Sequence, residues 1–404
     1  MRPLVLASPI RRQRIGLILG VLALLLAGVR PSAEAESLPI YSVVDLGPMD
    51  GSSWSTGLAI SSTGQVAGTA RTPSSSQAFL GSPSGSVQIL GSLTGEKGKS
   101  QGLGISGGVV VGVSDFGDGS RRAFRSSGGA MVELGTLNGG SWSEAVAISS
   151  GGEIAGHGNR KDGRTVAFRI TTDGTFVELG TLNGGLSSRA YGINAHGDVV
   201  GESVDWFGVR RAFVADDTGI HAVGTLPGGG GSVARAINDD GLITGHATDA
   251  SGRDMAFLGR PGALVSLGLL PGGRSSYGLG INAHGEVVGQ VSGSLGSRAF
   301  RWTATDGMVD LNHLIDPDSG WLLQTASGIN DAGMIVGTGL KDGVSRAFLL
   351  ELKAPGTPDP GGEATVHATP EPGSLLMVLL GASGAGGWAW LRRKRLRDGQ
   401  LRSG

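Results

Sequence analysis

The sequence predicts an all-β fold: a seven-bladed β-propeller made of four-stranded repeats of about 44 residues. Three observations predict it. A Leu-Gly or Val-Gly pair recurs with its glycine at Gly47, Gly91, Gly135, Gly180, Gly224 and Gly268, at spacings of 44 or 45. Each repeat also has a Val/Ile-rich strand closing on a glycine (Gly68, Gly112, Gly156, Gly201, Gly245, Gly289, Gly337) and an Ala-Phe pair (Phe79, Phe124, Phe168, Phe213, Phe257, Phe300, Phe348). Finally, no stretch of the body sustains a 3.6-residue apolar period, so helices should be rare.

The fourth repeat shows the elements in order. Residues 177–180 read as a short strand, 181–185 as a loop, 188–194 as a second strand and 194–197 as a turn. Residues 198–203 form a third strand, 204–209 a loop, 210–215 a fourth strand and 216–219 a turn into the next repeat. The strand at 190–194 carries Ala190 and Gly192 where a bulky strand would carry Val or Ile, as do its equivalents at 234–238 and 278–282. Inner strands crowd around an axis and tolerate only small residues there, so this strand is expected nearest the channel. Gly-Val-Val-Gly should follow it, then Ala-Phe, with Leu-Gly outermost. The first Leu-Gly strand, 41–47, then has no blade of its own and should seal the ring beside 345–352. An open β-solenoid would need shorter, more regular coils than these loops allow. The seventh repeat departs from the pattern, with Leu311-Asn312 in place of Leu-Gly.

The two ends read as routing signals. Arg2, Arg11, Arg12 and Arg14 precede an apolar stretch, 15–29, and Ala33-Glu34-Ala35 offers small residues at Ala33 and Ala35 for a signal peptidase, giving a signal peptide over 1–35. The propeller follows over 36–352. Residues 353–369 hold Pro355, Pro358, Pro360 and Gly361-Gly362 and read as a semi-rigid spacer. Over 370–404 come Pro370-Glu371-Pro372, an apolar run at 374–391, and the basic cluster Arg392, Arg393, Lys394 and Arg395. Eighteen residues of helix span roughly 27 Å, enough for a hydrocarbon core. The cations behind it should stay cytoplasmic. This arrangement resembles the PEP-CTERM sorting signal of Gram-negative bacteria. The resemblance implies recognition by an exosortase, transient membrane anchoring through the C-terminal helix, and release at the cell surface or into the extracellular matrix.

Charge and cysteine content narrow the partners. The first 35 residues hold five of the 33 basic and one of the 34 acidic residues, and the tail after Leu391 holds six and one, so the body between is near −10. An acidic body repels phosphate backbones, which argues against nucleic acid as a partner. The chain has no cysteine, so neither disulfides nor thiolate metal sites are available to it.

The body, over about 41–352, resembles the HAF family of extracellular repeats, whose units run Leu-Gly-x-Leu-x-Gly-Gly, Ser-x-Ala-x-Gly-Ile-Asn, Gly-x-Val-Val-Gly and His-Ala-Phe. The likeness is strongest over 177–300. The residue before Ala-Phe is Gln77, Arg122, Val166, Arg211, Met255, Arg298 or Arg346, never the family's histidine. The resemblance implies surface export and a repeat fold, and no established chemistry.

Side chains that could carry chemistry are few. His196 and His284 occupy identical Asn-Ala-His-Gly turns, and His157 and His246 share the position after the strand glycine. Repeat-equivalent residues fall on different blades, which argues against a shared metal site. The acidic loops Asp115 to Gly119 and Asn238 to Gly241 lack an EF-hand ligand pattern and suit tight turns. The Gly-Gly loops, such as Asn183-Gly184-Gly185, lack the lysine and helix of a phosphate cradle. No catalytic residues, metal or cofactor are expected. Trp54, Trp142 and Trp321, in the loops entering inner strands, and Trp206, in a second-to-third-strand loop, are expected on one face, where tryptophans can stack on sugar rings. The leading expectation is a non-catalytic interaction platform, with exopolysaccharide or another envelope component as partner. The alternative is a glycan hydrolase or lyase working at the channel mouth, which should break the repeat symmetry there with acidic, His or Tyr residues clustered on one side.

Overall fold

The structure, a computed structural model, describes residues 41–47 and 54–353, all within one compact unit. The unit from Ala354 to Gly404 and residues 1–40 lie outside the described residues. With them lie the expected signal peptide, the expected spacer beyond Lys353, the expected C-terminal helix and the residues Ala33, Ala35, Pro370, Glu371, Pro372, Arg392, Arg393, Lys394 and Arg395.

The described residues form seven four-stranded antiparallel sheets, and the first six blades run inner, second, third and outer strand in chain order. In the fourth blade these are Ser187–Ile193, Val199–Val204, Arg210–Asp216 and Gly219–Ala222. The expected strand order holds in every blade. The seventh is completed by the first described strand: Tyr41–Asp45 pairs with Val344–Leu352, with Val43 opposite Leu350 and Val44 opposite Leu349. Arg346 pairs with Asp45 at 2.6 Å, and the Leu46 amide donates to Ala347, so the seal extends past the strand itself. Among the described residues the only helical pieces are four 3-10 turns, two of them inside the Gly-Gly loops at Leu137–Gly139 and Leu182–Gly184.

The recurring residues each have a mechanical role. Every Ala-Phe phenylalanine is fully buried, and each lies opposite the recurrent glycine of the second strand, as Phe213 does opposite Gly201. That glycine does not close its strand, contrary to expectation; the strand runs on to Val204. The inner strand bulges beside it, between Ala190 and Gly192, and brings the Arg189 carbonyl so close that a Cβ on Gly201 would lie 1.9 Å from its oxygen. The Leu-Gly glycine serves a different need: Gly180 has φ +76, in the left-handed region that side chains avoid. Around the axis the innermost position reads Ala59, Gly104, Ala147, Gly192, Ala236, Gly280 and Gly328. A Cβ on Gly280 would lie 2.8 Å from the Gly328 Cα, so adjoining inner strands touch through their backbones.

Two sets of side chains staple each blade to the next. Near one end of the inner strand, Ser188 accepts from the Ala167 amide of the preceding blade and donates to the Gly180 carbonyl. Ser100, Ser143, Ser232 and Ser276 repeat both bonds at their own junctions. At the sixth junction the inner strand offers no such serine. Asn312 does the work instead, donating to the Leu323 carbonyl and accepting from its amide, which explains why Leu-Gly becomes Leu-Asn there. At the other end a chain of asparagine amides runs around four junctions: Asn194 to Asn238, Asn238 to Asn282, Asn282 to Asn330, and Asn330 to Ser61.

Candidate functional site at the channel mouth

The seven inner strands enclose a central channel of about 200 Å³. Its wall is built from one triplet per blade, such as Leu58-Ala59-Ile60, Leu103-Gly104-Ile105 and Tyr191-Gly192-Ile193. Small second residues and seven isoleucines make the lumen narrow and apolar. The first residue of each triplet sits at the inner-strand bulge and is free to vary: Leu58, Leu103, Val146, Tyr191, Arg235, Leu279 and Ser327. Arg235 is the one charged residue among those described in this wall.

Two more positions vary beside the bulge, toward the end where the loops entering the inner strands and the second-to-third-strand loops emerge. They are cross-strand partners: Thr56 with Thr69, Gln101 with Val113, Glu144 with His157, Arg189 with Glu202, Val233 with His246, Tyr277 with Gln290, and Thr325 with Thr338. Blades 7, 1 and 2 thus present small, aliphatic or neutral side chains. Blades 3 to 6 present a continuous polar cluster. The symmetry of the repeat is broken on one side of the ring.

The cluster is connected by contacts across blades. Trp142 meets His157 edge-on at 5.9 Å, and His157 meets Tyr191 of the next blade at 6.3 Å. Tyr191 donates to Glu202 at 3.2 Å, and Arg189 and Arg210 flank the same carboxylate at 3.4 and 3.6 Å. The Arg235 guanidinium lies over the Tyr191 ring at 4.2 Å. His246 packs against Tyr277 at 4.9 Å, and Tyr277 donates to Asp254 at 3.1 Å.

Burial sets the protonation of these groups. It pushes His157 down to about 4, with Arg189 adding to the effect. It pushes His246 down to about 4 as well, with Arg235 adding and Asp254 opposing. Both imidazoles are therefore neutral at neutral pH. Burial and the Glu202 charge hold the Tyr191 phenol protonated, as its donation to Glu202 requires, and burial raises Glu144 above the usual carboxylate range.

Polar satisfaction is incomplete here. Of ten buried side-chain polar atoms without a hydrogen-bond partner among the described residues, four belong to this cluster: His157 Nδ1, Glu202 Oε2, Arg235 Nε and His246 Nδ1. Buried polar atoms are ordinarily paired, and a bound water or ligand would pair these four. No group of described His, Asp or Glu residues is arranged to hold a metal ion.

The tryptophans divide. Trp206 lies in the turn between second and third strands of blade 4, 59% exposed, with Arg164 over its ring at 5.7 Å and Phe207 beside it in sequence 92% exposed. Trp142 is half-buried against His157, immediately before its inner strand. Trp54 is likewise half-buried before the first inner strand. Trp321 is the first residue of strand Trp321–Ile329 rather than part of a loop, and packs edge-on against Phe348 at 6.0 Å.

The acidic loops act as turns: Asn238 accepts from the Leu242 amide, Asp239 from the Ala195 amide, and Asp118 from the Ser120 amide. His196 and His284 are exposed in turns on the opposite face. Likeness between blades, the signal that locates the repeat, does not bring His157, Glu202 and His246 together. The signal was in the difference: the residue after the strand glycine reads Thr69, Val113, His157, Glu202, His246, Gln290, Thr338.

No protein-family model matches this chain, and no curated protein does. Among solved structures, a puromycin-hydrolyzing peptidase from Mycobacterium tuberculosis is similar at TM-score 0.51 and 14% identity, over 76% of this chain and 52% of that one. A gluconolactonase from Xanthomonas campestris matches at TM-score 0.42 and 12% identity, over 78% and 91%. TolB from Acinetobacter baumannii matches at 0.42 and 12%, over 74% and 64%, so this chain spans under two thirds of that protein. At such identities the likeness speaks to the fold alone.

Proposed function

We propose that this chain is an exported, non-catalytic surface propeller that binds a glycan, with exopolysaccharide as the partner, on the face that carries Trp142 and Trp206. The observation that supports binding is the one-sided polar cluster of blades 3 to 6, with its unpaired buried atoms, on the face where the loop carrying exposed Trp206 and Phe207 emerges. Aromatic faces for stacking next to fixed polar groups are what sugar recognition needs. Export rests on the sequence: signal peptidase would act after Ala35, and an exosortase at Pro370-Glu371-Pro372, the C-terminal helix anchoring the chain until then.

A second reading, a glycan hydrolase or lyase at the channel mouth, is favoured by the same break in symmetry. Against it, Glu202 is engaged by Tyr191, Arg189 and Arg210, and neither imidazole has a side-chain hydrogen bond orienting it toward a nucleophile. The test uses residues 36–353, within which all seven sheets are complete. Binding to a panel of exopolysaccharides should be seen, and should drop at least roughly tenfold when Trp142 and Trp206 are both changed to Ala, as expected for lost stacking on two rings. Retained binding in that variant sinks the stacking site, and no binding to any glycan sinks the platform. Release of new sugar ends from a bound glycan, abolished by Glu202→Gln, would transfer the case to the enzyme.

A further inference from the structure

We infer that the channel mouth is selective for a carboxylated sugar, with Arg235 receiving the carboxylate of a uronate unit; this rests on the glycan-binding reading above. Arg235 occupies the inner-strand bulge of blade 5, where other blades place Leu, Val, Tyr or Ser, and it is the one charge among the described residues of this wall.

Its charge has no carboxylate partner among the described residues. The other arginines of the cluster are engaged: Arg189 and Arg210 flank Glu202. Arg235 is in no ion pair or side-chain hydrogen bond among the described residues. Its guanidinium lies over the Tyr191 ring, and its Nε is buried without an acceptor among the described residues. The Tyr191 ring lies against the guanidinium, and a guanidinium that no carboxylate occupies is suited to bind one bidentately through its planar N–H groups. Arg235 is half-buried, with its Nε shielded from solvent, and a partly desolvated cation gains from a counter-charge that a ligand supplies.

The surroundings limit what that ligand is. A volume of about 200 Å³ accepts a pendant group or the end of a chain, not a threaded polymer. Neutral His157 and His246 add hydrogen-bonding edges, each with a free Nδ1, without adding charge. The exposed Trp206 and Phe207 extend the same face outward for neighbouring sugars. Glu202, buried at 3% exposure and already flanked by cations, contributes one oxygen without a hydrogen-bond partner, which suits a sugar hydroxyl as donor.

The experiment compares oligosaccharides of equal length on the 36–353 protein by calorimetry: an oligouronate, a neutral oligoglucan, and an oligoglucan bearing sulfate esters. The uronate should bind roughly tenfold or more tighter than the neutral oligomer, the scale of one charge-assisted bidentate contact. Arg235→Gln should bring uronate affinity down to the neutral level, and Arg235→Lys, which keeps the charge but loses the fork, should fall between; a melting temperature for each variant confirms the fold. Equal binding of uronate and neutral oligomers overturns this inference while leaving the glycan platform standing. Preference for the sulfated oligomer overturns the assignment to carboxylate, and a uronate preference that survives in Arg235→Gln overturns the assignment to this residue. Binding of none of the three overturns the platform itself.

Discussion

Replacing Ser188 with Ala tests how the blades are held together. The substitution removes one oxygen and leaves the methylene in place, so packing is nearly conserved and the loss is in hydrogen bonding. Two bonds disappear. The Ala167 amide, which donates to the hydroxyl at 2.9 Å, is in a fully buried residue facing a fully buried serine, and no solvent can replace the acceptor. Orphaning such a donor costs about 1–3 kcal/mol. The Gly180 carbonyl is partly exposed and recovers water, so its loss adds about 0.5–1 kcal/mol. Together they give about 1.5–4 kcal/mol, which for a body of ~300 residues lowers the melting temperature by about 2–6 °C. The matched control is Ser187→Ala, one residue earlier, where the side chain has no hydrogen bond to lose; it should stay within about 0.5 kcal/mol of wild type. Circular dichroism melts and urea titrations of both variants measure the difference. Equal destabilisation by the two substitutions would refute the staple, since both remove the same oxygen from the same strand.

Gly201→Ala should prevent blade 4 from forming properly, at a cost above about 3 kcal/mol, because the new Cβ meets the Arg189 carbonyl at 1.9 Å; Gly117→Ala, with open space around it, should leave the urea midpoint unchanged. Asn238→Ala removes the bond to the Asn282 carbonyl and the acceptor for the Leu242 amide, and should cost about 2 kcal/mol by urea titration. Asn238→Ser should cost about half as much, because serine at the equivalent turns still accepts the amide four residues on, as Ser61 does from Gln65. Stability should fall as pH drops from 6.5 to about 4, the interval in which an unfolded imidazole takes a proton that buried His157 and His246 do not. Each contributes about 1.4 kcal/mol per pH unit, with nothing lost above pH 6.5. His157→Gln should remove one of the two contributions, seen as a shallower dependence of the urea midpoint on pH.

Most of the fold was legible because the repeat writes it seven times. The small residues at 190–194 revealed the inner strand, and once that was placed, counting strands put 41–47 beside 345–352. What repetition hides is asymmetry. His157 and His246 looked like copies of one position, so distance around the ring argued against joint action. In the folded ring Glu202, Tyr191 and Arg235 fill the sector between them. The strand glycine was misread as an end because its reason is a neighbour's bulge, a tertiary fact with no local signature. Trp321 was read as a loop residue, although it opens a strand and packs on Phe348.

The seal between Tyr41–Asp45 and Val344–Leu352 has a consequence for how the molecule comes into being. A ribosome or a secretion pore delivers the amino end first, so the locking piece arrives with its mate still some 309 positions away along the thread, the separation between Ser42 and Glu351. Bringing such distant points together carries an entropic toll on the order of 5 kcal/mol, met only when the final hairpin emerges. Until then the waiting segment is a raw hydrogen-bonding margin open to any stray neighbour. Its five-residue length and its terminal aspartate keep that margin short and charged. Birth of the finished body is therefore a single late event, timed by the last stretch of chain rather than by the first six sheets.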